Sequence, residues 1–90
     1  MSFACKDTEQ LFINGLNRRF NAVARPALRR LNILNAAISL EELRVPPGNR
    51  LEALSGDRAG QHSIRINDRW RICFVWKDGH CHNVAITDYH

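Results

Sequence analysis

From Asn21 onward apolar residues recur at three- and four-residue spacing: Val23, Ala27, Leu28, Leu31, Leu34 and Ile38 fall on one stripe of an amphipathic helix. Arg25, Arg29, Arg30 and Asn32 lie off that stripe. Pro26 has no N–H to donate and must sit in the first turn, so the helix is expected to begin between Ala22 and Arg25. Ahead of it, Ser2 to Asp7 reads as a short strand, and Thr8 as the N-cap of a brief helix carrying Leu11, Phe12 and Leu16, weakened by Gly15. Behind it, Ser39 followed by Glu42 makes a capping-box pattern for a turn over Leu40 to Leu43.

Pro46-Pro47-Gly48-Asn49 suits neither a helix nor a central strand, and beyond it the pattern changes from helical spacing to alternation. Arg50 to Leu54 reads as a short strand, and Ser55 to Gly60 as a loop of turn-forming residues. Gln61 to Ile66 alternates, with Ile64 and Ile66 on one side and Ser63 and Arg65 on the other; Asn67-Asp68 then makes a tight turn. Arg69 to Trp76 is rich in β-branched and aromatic residues, and Asp78-Gly79 is a type I′ hairpin signal before a last strand from His80 to Thr87. The expected fold class is α+β, with N-terminal helices packed on one face of a twisted, mainly antiparallel sheet of four or five strands. A chain of 90 residues cannot divide its apolar side chains between two cores, so residues 1–90 are expected to form a single domain.

Hydrophobic residues are 44% of the chain and charged residues 24%, which excludes a disordered or fibrous class. No apolar run approaches the ~20 residues that span a bilayer, and the first residues lack the cationic-then-apolar order of a signal peptide, so a cytoplasmic protein without membrane contact is expected. Cys5, Cys73 and Cys81 have no metal-ligand spacing and read as packing residues rather than disulfides or zinc ligands. The net charge of +4 makes a polyanionic partner plausible. Lys6 and Lys77 are the only lysines, so arginine supplies eleven of the thirteen cations, and its planar fork pairs with phosphate in a way that an ammonium cannot.

Alternation along Arg69-Trp70-Arg71-Ile72-Cys73-Phe74 puts Arg69 and Arg71 on one face, expected to be solvent-facing, and Trp70, Ile72 and Phe74 on a buried one. Arg65, on the preceding strand, could join the cationic face. The plain alternative is a solvated surface balanced by Asp57, Asp68 and Asp78. Asp88-Tyr89-His90 directly follows the apolar strand residues Val84-Ala85-Ile86, and carboxylate, phenol and imidazole together form a general acid–base set.

The stretch from Leu51-Glu52-Ala53-Leu54-Ser55-Gly56-Asp57-Arg58 through Ser63-Ile64-Arg65-Ile66-Asn67-Asp68-Arg69-Trp70-Arg71-Ile72-Cys73-Phe74 resembles the central signature of HigB-type toxins of the RelE superfamily. Asp88-Tyr89-His90 resembles that family's C-terminal ending, and Asp7 to Phe12, the amphipathic helix and Pro46 to Leu51 stand in its order. The resemblance implies a toxin of a type II toxin-antitoxin system that enters the ribosomal decoding site and cleaves mRNA by attack of a ribose 2′-hydroxyl on the adjacent phosphate, with no metal or cofactor. It implies His90 for proton transfer, Asp88 to orient it or share that role, Tyr89 to stack on the mRNA base, and Arg71 for transition-state charge. Arg65, Arg69, Arg58, Ser55 and Glu52 are the expected contacts to RNA or ribosome. The implied partners are a HigA-like helix-turn-helix antitoxin, the small ribosomal subunit with its mRNA, and DNA only through the antitoxin.

Glu52 stands where some members carry a catalytic histidine, and Ser55 where many carry a lysine before the glycine. The alternative reading is therefore a catalytically weakened RelE-like module that binds RNA or the ribosome. A DNA-binding regulator is disfavoured, because the amphipathic helix lacks a preceding recognition turn.

Overall fold

The computed structural model describes residues 1–88. Helix α1 spans Lys6–Asn14, a 3₁₀ segment covers Arg18–Val23, and α2 spans Ala24–Ala36. Short 3₁₀ turns at Leu40–Arg44 and Pro47–Asn49 lead into strands β1 (Glu52–Ala53), β2 (His62–Arg65), β3 (Trp70–Lys77) and β4 (His80–Asp88). Among the described residues these strands form one antiparallel sheet in the order β1-β2-β3-β4.

Pro26 sits in the first turn of α2, and Ala27, Leu31 and Leu34 of that helix are buried. They pack with Leu11 of α1 and Phe20 against Ile64, Ile72, Phe74, Val84 and Ile86, which all point from the sheet toward the helices. Trp70, half-buried, meets Phe20 edge to face at 5.6 Å. Ser39 caps the Leu40 turn as its sequence predicts, its Oγ accepting from the Glu42 N–H, while the Glu42 carboxylate accepts from Ile38 rather than from Ser39. Asp78 and Gly79 both have positive φ, 54° and 79°, as a type I′ turn requires.

Four expectations are corrected. Ser2 to Asp7 is not a strand: Phe3 makes only an isolated parallel bridge to Val84, and α1 already begins at Lys6. Thr8 is no N-cap, because its hydroxyl accepts instead from the Ile86 N–H at 3.0 Å, covering the outer edge of β4. Leu16 and Ile38 lie past the ends of their helices and are exposed, since Gly15 terminates α1 in the left-handed region and Ala37 leaves α2 extended. The strand expected over Arg50 to Leu54 shrinks to Glu52–Ala53, for Arg50 itself has φ 46° and breaks the extended run.

Register shifts by one residue between Cys73 and Val75, where Asn83 of β4 takes φ 53°. This bulge lets Cys81, Val84 and Ile86 all face inward despite their unequal spacing. Ile64, Ile72 and Phe74 belong to the helix-facing layer, so Ser63, Arg65, Arg71 and Cys73 occupy the opposite face.

Candidate functional site

Arg65 and Arg71 are direct register partners on β2 and β3. Like charges placed directly opposite on adjacent strands are destabilising, so their surroundings must compensate. Arg65 pairs with Asp68 in the turn that follows β2. Its carbonyl accepts from Arg30 Nε of α2 at 2.7 Å. Burial against the sheet, with Arg29 and Arg65 nearby, pulls the Arg30 guanidinium below its ordinary value.

Arg71 was expected on the solvent face, and it does lie on the face away from the helices, but it is only 7% exposed. Its Nε donates to Ser63 Oγ at 2.8 Å. Its Nη2 donates to the Arg50 carbonyl at 2.8 Å and lies 3.9 Å from Glu52 Oε2. The chain leaving Pro46 and Pro47 crosses this face and supplies the Arg50 carbonyl. A guanidinium survives burial when its donors are met in this way, and its direction is then fixed by three elements at once.

Arg50, Glu52, Arg65, Asn67, Asp68 and Arg71 line one pocket of about 240 Å³. Among the described residues, three guanidinium groups against two carboxylates give this pocket an excess of positive charge, suited to a phosphate. The structure thus brings together Glu52, Arg65 and Arg71. Arg50 and Ser63 were not among the expected site residues. For Ser63 the alternation that puts it beside Arg65 was the available signal; for Arg50 there was only its place after the Pro-Pro-Gly-Asn break.

Ser55 and Arg58 are not in this group. The register Glu52↔Ser63 then Ala53↔His62 runs toward their loop, whereas Arg65 lies the other way along β2. Arg58 instead donates to Gln61 Oε1 at 3.2 Å. Arg69 lies over the Trp70 ring, 5.0 Å from its centroid, and donates from Nε and Nη2 to Asp88 Oδ2 at 3.0 and 2.8 Å. That bond to Asp88 pushes the exposed Arg69 guanidinium above its ordinary value. Asp88 is the register partner of Trp70, and Thr87 that of Arg71, so β4 ends alongside the arginine-bearing part of β3. Tyr89 and His90 lie outside the described residues.

Other pockets border α1 and the 3₁₀ segment, around Leu16 and Asn21. Among the described residues, no three His, Cys, Asp or Glu side chains gather closely enough to hold a metal ion. Among the described residues, no helix is long and apolar enough to cross a membrane.

Comparison with known proteins gives a consistent answer. A family model described as RelE-like toxin of type II toxin-antitoxin system HigB matches residues 1–90. The chain is 37% identical over 91 residues to "Toxin HigB-1" of Vibrio cholerae serotype O1, covering 99% of this chain and 92% of that protein. It is 30% identical over 61 residues to an uncharacterized protein of Haemophilus influenzae, covering 68% of this chain and 60% of that one. Among solved structures, the "YoeB-YefM complex from Staphylococcus aureus" has a chain with TM-score 0.59 and 20% identity, covering 99% of this chain and 93% of that one, a likeness of fold.

Proposed function

The chain belongs to the HigB-like family of RelE-like toxins of type II toxin-antitoxin systems, and from that premise we propose that it is a ribosome-dependent endoribonuclease that cuts mRNA in the decoding site. The observation that carries the reading is Arg71, a buried guanidinium fixed by Ser63 and the Arg50 carbonyl at a pocket shared with Arg65. A donor held in place before the reaction needs no reorganisation as charge develops, which is where electrostatic catalysis gains most.

In the proposed reaction a ribose 2′-hydroxyl loses its proton and attacks the adjacent phosphorus. The 5′-oxygen of the next nucleotide departs with a proton, leaving a 2′,3′-cyclic phosphate. Arg71 stabilises the phosphorane, with Arg65 contributing to the same field. His90 moves the protons, Tyr89 stacks on the base, and Asp88 orients the imidazole. Two bonds from Arg69 fix the Asp88 carboxylate, which suits an orienting role. Arg58, Arg69 and Ser55, outside the pocket, contact ribosome or flanking RNA. Guanidinium and imidazole supply the charge and the proton transfer, so the reaction runs without a metal ion.

The protein acts in the cytoplasm, and a HigA-like helix-turn-helix antitoxin neutralises it and carries any contact with DNA. The Staphylococcus aureus neighbour, described as a complex of YoeB with YefM, supports a protein partner, and the helix-turn-helix identity of that partner is our reading of the family resemblance. The ribosome is required because ninety residues offer few groups to orient a flexible strand. The test incubates the purified protein with mRNA, free or on ribosomes. Cleavage confined to the ribosomal sample and leaving cyclic phosphate ends is expected; efficient cleavage of free single-stranded RNA overturns the reading.

One observation favours a weakened variant of this function. The Glu52 carboxylate, 3.9 Å from Arg71, stands where it repels an incoming phosphate. Binding to ribosomes without cleavage would identify the protein as the binding module.

A further inference from the structure

Arg50 occupies a costly backbone position. Its φ of 46° lies in the left-handed region, where a residue with a β-carbon is disfavoured and glycine or asparagine is cheap. Both are nearby and neither is used: Asn49 does not have positive φ, and Gly48 does not either. The arginine side chain is exposed, lines the pocket with Arg65 and Arg71, and makes no hydrogen bond or ion pair among the described residues. Its carbonyl is already committed to Arg71 at 2.8 Å. One strained residue thus fixes the buried guanidinium through its backbone and presents a second guanidinium through its side chain. Strain retained where a cheaper residue would serve the fold points to a role for the side chain.

We infer that Arg50 is a phosphate-binding residue that takes a backbone phosphate of single-stranded RNA at the mouth of the Arg65–Arg71 pocket. This rests on the proposed endoribonuclease reading and adds a residue to its substrate contacts. Arg71 is buried and held by neighbouring groups, whereas Arg50 is long, exposed and able to follow a flexible strand. The carboxylates of Glu52 and Asp68 lie in the same pocket, yet Arg50 forms an ion pair with neither.

The experiment measures binding of a short, fluorescein-labelled RNA with 2′-O-methyl riboses, which cannot be cut through its own 2′-hydroxyl, across a salt series. Arg50→Gly is the informative variant, because glycine relieves the backbone while removing the guanidinium. It should melt at or above the wild-type temperature, bind several-fold more weakly at low salt, and show a slope of log K against log salt smaller by about 0.7, the loss of one phosphate contact on a single strand. Arg29→Gln, on the helix layer behind the sheet, should leave the slope unchanged.

Wild-type affinity and slope in Arg50→Gly, beside weakened binding in Arg65→Gln, would overturn the role of Arg50 and leave the pocket as the RNA site. Unchanged binding in both variants, or no binding by the wild type, would remove the pocket reading as well. An equal fall in slope for Arg29→Gln would show that net charge alone is being read. A lowered melting temperature for Arg50→Gly would make the side chain structural and also overturn the proposal.

Discussion

Truncating Arg71 to alanine removes more than the charge proposed to stabilise the phosphorane. The two short bonds, from Nε to Ser63 Oγ and from Nη2 to the Arg50 carbonyl, are both 2.8 Å long and come from a charged donor. Such bonds contribute about 1.5 kcal/mol each at the low end of their range, and the acceptors left behind are costly where water cannot reach them. The ion pair to the half-exposed Glu52 at 3.9 Å adds no more than about 0.5 kcal/mol after solvent screening. Against these stand the relief of repulsion from Arg65 and the recovered hydration cost of the guanidinium, on the order of 1 kcal/mol together. The net expectation is a loss of about 2–3 kcal/mol. For a domain of this size each kcal/mol shifts melting by roughly 4–8 °C, so Arg71→Ala should melt about 10–20 °C lower. Urea unfolding followed by circular dichroism measures the loss directly, and cleavage on ribosomes should be assayed well below the variant's melting point. Arg71→Lys, which keeps charge but not the fork, should lie between the two. A stability loss under about 0.5 kcal/mol in Arg71→Ala would refute the reasoning, since the bonds that hold the guanidinium would then contribute nothing.

Glu52→Gln removes the carboxylate beside Arg71 and should tighten RNA binding several-fold with little change in stability; a collapse of cleavage at unchanged binding would instead make Glu52 the base. His90→Gln should keep the fold and the affinity for ribosomes while lowering the cleavage rate by ~10²–10⁴-fold, and a wild-type rate would shift proton transfer to Asp88 or Glu52. Burial pushes the Cys81 thiol from 9.0 up to about 11. A folded value above the unfolded one gives stability that is complete below pH 9 and lost as pH rises toward 11, on the order of 2–3 kcal/mol. A Cys81→Ala variant should therefore lose less stability over that window than the wild type, and parallel pH profiles would refute the assignment.

Features fixed by neighbours in the chain were legible before the structure. Pro26 could only start a helix, Ser39 was suited to cap the turn that it does cap, and Asp78-Gly79 encoded a turn whose two positive φ values the structure displays. Features fixed by distant partners were not. Thr8 has the right chemistry for a cap, but the open edge of β4 takes its hydroxyl. The alternation around Arg71 correctly assigned it to the sheet face away from the helices, and exposure was inferred from that. The inference failed because the segment following Pro46 folds over the same face, a crossing that no periodicity reports. For the same reason Ser63 escaped notice as a site residue: its value lies in the Arg71 bond across the ladder, not in its own neighbours.

The opposition of Arg65 and Arg71 then acquires a functional sense. A sheet selected only for stability would not set two arginines in direct register, since an opposite-charge pair there would be favourable instead. Among the described residues Asp68 pairs with Arg65 and Glu52 lies within reach of Arg71, and both carboxylates are exposed enough to move aside. A phosphate entering between the arginines replaces a repulsion by two attractions, and the gain grows as negative charge builds on its oxygens. On the proposed reaction the arrangement is worth more to a phosphorane than to a ground-state phosphodiester, which is the differential that catalysis needs. Asp68→Asn together with Glu52→Gln tests this: removing these two carboxylates from beside the arginines should raise the protein's affinity for vanadate over phosphate, and an unchanged ratio of the two affinities would show that the pocket reads charge without distinguishing geometry.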